Sequence, residues 1–210
     1  MNRSTTARPA RLGSLVLATG LALGFGMGAA GCTVAADGRG PAASDRAGAV
    51  DPSTSAADAE WVAGMAEHHD QAVALAGLAV DRAADAEVIA AAARIAEAQA
   101  AEASALRGWL ERRGAAGPDA HADGAMPGEI SAEAMDRARD AEGAEFDRLF
   151  VDLMVSHHEG AVVMCEERLE ASGDAAVTRW ARTIASAQAI EIDRLRELAA
   201  RLDAAGAPAG

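Results

Sequence analysis

Phe150-Val-Asp-Leu-Met154-Val-Ser-His157-His158-Glu159-Gly-Ala161-Val-Val-Met164-Cys165 is the stretch whose reading decides the fold. Laid on an α-helix at about 100° per residue, Phe150, Met154, His157, Ala161 and Met164 follow a 4-3-4-3 spacing. That spacing makes one seam, the face a helix turns toward partner helices. His158 and Cys165 lie beside it. Two imidazoles, two thioethers and a thiol therefore occupy a face that is normally buried. Such a set costs free energy unless each polar group finds a partner, and a soft metal ion is one such partner.

The same pattern stands earlier in the chain. Asp58, Trp61, Met65, His68, His69, Ala72 and Leu75 each precede Asp147, Phe150, Met154, His157, His158, Ala161 and Met164 by 89 positions. The register continues without a gap, because Ile95, Gln99, Glu102 and Leu106 match Ile184, Gln188, Glu191 and Leu195 at the same offset. The chain is an internal duplication with one Met-x-x-His-His unit and one Gln-x-x-Glu unit per half.

Helix signals place four long elements around these units. The first starts at Ser55 to Asp58, where Ser and Asp can cap free N–H groups, and runs to about Val80. Asp85 caps the second, which is rich in Ala, Glu, Leu and Arg and stops at Gly114. Gly117-Pro118, Gly124 and Met126-Pro127-Gly128 mark a loop between the halves. His121 and Met126, on this loop, are left out of the site, since a loop histidine is more often solvated than a ligand. Ser131 opens a short helix. The third long helix spans about Ala141 to Ala171, Ser172-Gly173-Asp174 stops it, and the fourth spans about Ala175 to Leu202. No stretch alternates as a strand would. Helices of this length cannot bury an apolar seam alone, so the expected fold is all-α. It is an antiparallel four-helix bundle made of two duplicated helical hairpins. Repeat one takes residues 57–113, the loop 114–130, repeat two 131–203, and the tail 204–210 should fray. With only 3% aromatic residues, Trp61, Trp109, Phe150 and Trp180 are expected to anchor a thin core.

The N-terminus reads as a leader. Arg3, Arg8 and Arg11 precede an apolar run from Leu12 to Gly28, and Ala29-Ala30-Gly31 leads to Cys32. A basic start, a short apolar core and small residues describe an export signal over residues 1–31, too short to span a membrane with polar flanks. Cys after Ala-Gly resembles a bacterial lipoprotein signal, with Cys32 lipidated. The chain would then be anchored to the cell membrane on its extracytoplasmic side. The other reading is an ordinary secretory peptide that leaves Cys32 a free thiol. Residues 32–56 form a flexible tether that would reach about 25–30 Å. The formal net charge is −13 and there is no Lys. Removing a leader that holds three Arg makes the chain more acidic still. That balance argues against a nucleic-acid partner and suits attraction of cations. Beyond Cys32 only Cys165 remains, so no intramolecular disulfide framework is implied.

The candidate metal ligands are Met65, His68, His69, Met154, His157, His158, Met164, Glu102 and Glu191, with Gln99, Gln188 and Cys165 supporting them. Neutral imidazole suits Cu, Zn and Fe, whereas thioether and thiolate select Cu(I). Adjacent histidines diverge by about 100° and do not easily chelate one ion. Met154 with His157 or His158, at i+3 and i+4, can share one. Glu191 could ligate, or fix a histidine tautomer from behind. Which hairpin supplies Gln and Glu to which histidine pair is open at this point. Leu75 and Ala76 stand where the second half has Met164 and Cys165, so the second half is the richer in soft donors. Asp70 and Glu159 point off the seam. The alternative is a satisfied polar core in which His, Gln and Glu bond to one another and set helix register.

Asp-x-x-Phe-x-x-x-Met-x-x-His-His-x-x-Ala-x-x-Met, followed by Gln-x-x-Glu-Ile, resembles the family called domain of unknown function 305. Asp147, Phe150, Met154, His157, His158, Ala161, Met164, Gln188, Glu191 and Ile192 carry the likeness. The first half carries it at Asp58, Met65, His68, His69, Ala72, Gln99 and Glu102, and departs at Trp61, Leu75 and Ala103. The resemblance implies a ferritin-like bundle and an exported protein associated with copper binding and copper tolerance.

Three functions compete. One is a non-catalytic copper-binding lipoprotein that buffers, sequesters or delivers the ion, with zinc or iron as other occupants and homo-oligomerisation left open. The second is a ferritin-like di-iron oxidase or peroxidase; such sites need Glu where this chain has Met65 and Met154. The third is a metal-free structural bundle.

Overall fold

A computed structural model describes residues 55–115 and 126–206. The expected leader, Cys32, the tether up to residue 54, and His121 lie outside these residues. Among the described residues there are helices and no strands: α1 (Ala56–Gly77), α2 (Ala79–Arg82), α3 (Ala86–Arg113), α4 (Ala132–Asp140), α5 (Gly143–Glu170) and α6 (Ala175–Gly206). None of these helices is long and apolar enough to cross a membrane.

Local chemistry sets most of the boundaries. Ser55 Oγ accepts from Asp58 N–H at the start of α1, and Asp85 accepts from Glu87 and Val88 N–H at the start of α3. Gly114, at φ 61°, closes α3 in the left-handed region. Ser131 caps α4 and Asp174 caps α6. The first long helix is shorter than its periodicity predicts. It breaks at Leu78, and α2 continues it for one turn before Asp85. At the other end, α6 continues to Gly206.

α1 pairs with α3, α5 pairs with α6, and α1 lies against α5. Each repeat is therefore a helical hairpin, and the two hairpins meet through their first helices. The duplicated aspartates lock this arrangement crosswise. Asp147, at the start of α5, accepts from Ala84 and Asp85 N–H in the turn of the first hairpin, at 3.1 Å each. Asp58, at the start of α1, accepts from Asp174 N–H in the turn of the second hairpin at 3.0 Å, and pairs with Arg168 near the end of α5. The start of α1 thus meets the end of α5, so these helices run antiparallel.

The apolar core falls into two halves. One holds Leu75, Val88, Ile95, Phe146, Phe150, Met154 and Leu195; the other holds Val62, Met65, Leu106, Trp109, Met164, Cys165 and Ile184. Of the four expected anchors, Phe150 and Trp109 are buried, while Trp61 and Trp180 are half-buried against the second half. Phe146, which no seam argument singled out, is fully buried and stacks on Phe150.

Candidate metal centre

Between the two core halves lies a polar layer. Along α1 it follows Met65 and precedes Ala72; along α5 it follows Met154 and precedes Ala161. It contains His68, His69, His157 and His158, all with zero exposure, together with buried Gln99 and Gln188. The 3.6-residue period explains this placement. The seam that carries apolar residues above and below must carry the histidines inward as well.

Every ring uses one nitrogen in the same way. His69 Nε2 lies 2.8 Å from Glu102 Oε2, and His158 Nε2 lies 2.9 Å from Glu191 Oε2. Each hairpin thus supplies its glutamate to one histidine of its own pair, which settles for the glutamates what the sequence left open. His68 Nε2 lies 3.0 Å from Pro127 O, and His157 Nε2 lies 2.9 Å from His68 O. Carbonyl and carboxylate oxygens only accept, so each imidazole donates its N–H from Nε2. Each Nδ1 is then a lone pair, and all four Nδ1 atoms are buried without a partner. Both polar atoms of the Gln99 amide and the Gln188 oxygen are in the same condition. Buried orphans of this kind cost about 1–3 kcal/mol each.

Electrostatics keeps the stacked pair neutral. The His68 and His157 rings stack with centroids 3.7 Å apart. Burial lowers the pKa of His68 to about 4, helped by His69 and His158 and opposed by the bond to Pro127. Burial lowers that of His157 further, to about 2, with His68 and His158 adding to it. Neutral imidazole is the form that binds metal. Burial pushes the Cys165 thiol up to about 12, so it stays protonated and acts as a small core residue.

Sulfur is distributed unevenly about the layer. Because α1 and α5 are antiparallel, Met65 and Met154 fall on opposite sides of it. Met65, Met164 and Cys165 share one core half, and Met126 packs against the same half. Met126, which sequence reasoning left in a solvated loop, is half-buried here. The loop arrives there because the turn from Met126 to Glu129 presses on α5. Gly128, at φ 69°, lies so close that a Cβ would sit 2.6 Å from Ser156 O, and a Cβ at Gly160 would overlap Pro127 O. Gly160 stands where the first repeat has Gln71. That break in the repeat was the signal available in the sequence.

Glu102 and Glu191 reach the histidines from the rim, with side chains 34% and 22% exposed. Glu191 also borders an open groove of about 500 Å³ between α3 and α6. Asp70 and Glu159 lie outside the layer, as expected, in matching surface ion pairs with Arg107 and Arg196. Among the described residues no three His, Cys, Asp or Glu side chains converge where they could hold one ion. The donor set therefore fits an ion content with few nitrogen ligands and thioether sulfur. It fits poorly an ion that needs several carboxylates.

The family model described as domain of unknown function (DUF305) matches residues 58–199. The chain belongs to the DUF305 family. No curated protein matches it. A DUF305 protein of Streptomyces coelicolor is 29% identical with a TM-score of 0.65, over 70% of this chain and 92% of that one. A DUF305 fragment from Deinococcus radiodurans is 28% identical with a TM-score of 0.65, over 72% and 99%. CopM, solved with Cu(I) and with Cu(II), is 22% identical in both forms, with TM-scores of 0.54 and 0.59. The Cu(II) form matches over 69% of this chain and 96% of CopM. At that identity the likeness to CopM shows the shared fold, and the DUF305 bundle described here is that fold.

Proposed function

We propose that this DUF305 protein is an exported, membrane-anchored copper-binding bundle that buffers, sequesters or delivers the ion. One observation carries the reading: four fully buried imidazoles donate their N–H groups to fixed acceptors and leave four Nδ1 lone pairs unpartnered. Glu102 and Glu191 are then the groups that fix tautomer and raise ligand basicity, the role carboxylates take behind metal-bound histidine. The Nδ1 atoms of His68, His69, His157 and His158 would each offer copper a nitrogen ligand, few to any one ion, with Met154 as a sulfur neighbour on one side of the layer and Met65 and Met164 on the other. Copper is favoured because the donors are imidazole and thioether, and because a protein of this fold, CopM, is copper-bound. Anchoring through Cys32 and an extracytoplasmic location are supported by the leader-like sequence of residues 1–31 alone.

Elemental analysis of protein made in copper-replete medium tests the reading against a His157→Ala, His158→Ala double variant. The wild type should retain copper and the double variant should lose it. Full stoichiometry in the double variant would sink the assignment. Glu191→Gln, which keeps a hydrogen-bond acceptor on His158, should weaken copper binding about 10–100-fold. Lipidation is tested separately, by mass spectrometry of the membrane-extracted protein; an unmodified Cys32 would overturn that part.

A further inference from the structure

α1 carries a glycine, Gly64, buried in its interior. A glycine there costs about 1 kcal/mol relative to alanine, and Gly64 has no positive φ that would require it. The second repeat has Leu153 at the matching position. What the missing side chain leaves room for is a pair of methionine side chains. The point a Cβ would occupy lies 3.9 Å from Met126 Sδ and 3.9 Å from the Met164 methyl. Two methionine side chains from distant parts of the chain therefore border the same gap in α1, and both belong to the same core half. One turn further along the same face stands His68, four residues on. Its Nδ1 is buried without a partner, and its Nε2 is held by the carbonyl of Pro127, next to Met126.

Met126 is held in place. Glu129 N–H donates to Met126 O at 3.0 Å, with Pro127 second and Gly128 at φ 69° third, the requirements of a type II turn. Met126 N–H donates to Glu129 Oε2 at 3.1 Å, and Ile130 N–H donates to Gln71 Oε1 on α1 at 3.0 Å. Gly128 and Gly160 bring the turn against α5. The strap is thus pinned to both α1 and α5.

We propose that Met126, Met164 and His68 Nδ1 form a site for a thiophilic monovalent cation, Cu(I) in the cell, closed by the Met126–Glu129 turn. The inference deepens the copper reading and rests on it, but it assigns tight Cu(I) binding to one side of the histidine layer and to a loop residue. Thioether and neutral imidazole need no deprotonation, hold a soft monovalent ion and discriminate against hard divalent ones. Among the described residues there is one such site. The second copy of the pattern is filled with hydrocarbon, because Leu75 replaces Met164 and Leu153 replaces Gly64.

The test is competition of the full chain with a chromophoric Cu(I) chelator, repeated with Ag(I) as a redox-inert probe. Wild type, Met126→Leu, Gly64→Leu and Met135→Leu are compared, with helical circular dichroism to confirm folding. Leu for Met nearly conserves volume, and Leu suits a helix better than Gly. Met126→Leu and Gly64→Leu should each weaken Cu(I) and Ag(I) binding by at least about tenfold, since losing a ligand should cost no less than losing the group behind one. Met135→Leu, buried in the other core half, should change nothing. If wild type binds tightly and Met126→Leu binds equally well, the inference is overturned and the copper reading stands. If wild type takes up neither Cu(I), Ag(I) nor Cu(II), both fall.

Discussion

The two hairpins repeat each other in the polar layer and differ at their corners. His69–Glu102 and His158–Glu191 match to within 0.1 Å, and Asp70–Arg107 recurs as Glu159–Arg196. Asp58 and Asp147 also hold equivalent places, each accepting from the turn of the opposite hairpin. Their surroundings nonetheless drive them apart. Burial raises the Asp58 pKa, but Ser55, the Asp174 N–H and Arg168 outweigh it, and the net shift is downward. At Asp147 burial prevails over the Ala84 and Asp85 N–H groups, with Asp85 repelling it, and the net shift is upward. Duplication preserved the backbone task of each aspartate, while the Ser55 hydroxyl and the Arg168 guanidinium, which side with Asp58 alone, gave the two opposite electrostatics.

The largest expected effect breaks that difference. Arg168→Met leaves Asp58 a buried, unpaired carboxylate and should cost about 3–5 kcal/mol near neutral pH, read by denaturant unfolding. In the wild type, Asp58 contributes stability that is present above its unfolded pKa of 3.8 and lost as pH falls through its lower folded value. The raised Asp147 has the opposite sign, so its folded state gains relative stability as pH falls through its folded value toward 3.8. Arg168→Met removes a cause of the Asp58 depression. The penalty should therefore shrink in acid, and a penalty that is constant with pH would contradict this account.

A middle-sized effect sharpens the comparison at the strap. Gly160→Ala pushes Pro127 off α5 and should cost about 1–3 kcal/mol through overpacking. Its counterpart Gln71→Ala, which removes only the acceptor of Ile130 N–H, should cost about 1 kcal/mol. Thermal unfolding of the two variants reads the order, and equal losses would mean the strap is not wedged where Gly160 allows it. The smallest effects belong to the symmetric surface pairs. Arg107→Ala and Arg196→Ala should each change stability by less than about 1 kcal/mol and by similar amounts, because exposed ion pairs are screened. A large difference between them would show that the repeats are coupled unequally to the core.

The sequence by itself determined the helices, the duplication and the burial of the histidine seam. Helical period, caps at Ser55, Asp85 and Gly114, and the 89-residue register are local or pairwise properties of the string. Tertiary structure alone decided that α1 and α5 cross antiparallel, which sends Met65 and Met154 to opposite sides of the layer. It also decided that each glutamate serves its own hairpin, and that Met126, on the loop, packs against the core half that holds Met164 and borders Gly64. These outcomes depend on how far-separated segments close on one another. Their contacts are fixed by packing angle and by clearances such as the one at Gly160, and periodicity along a single helix carries no record of either.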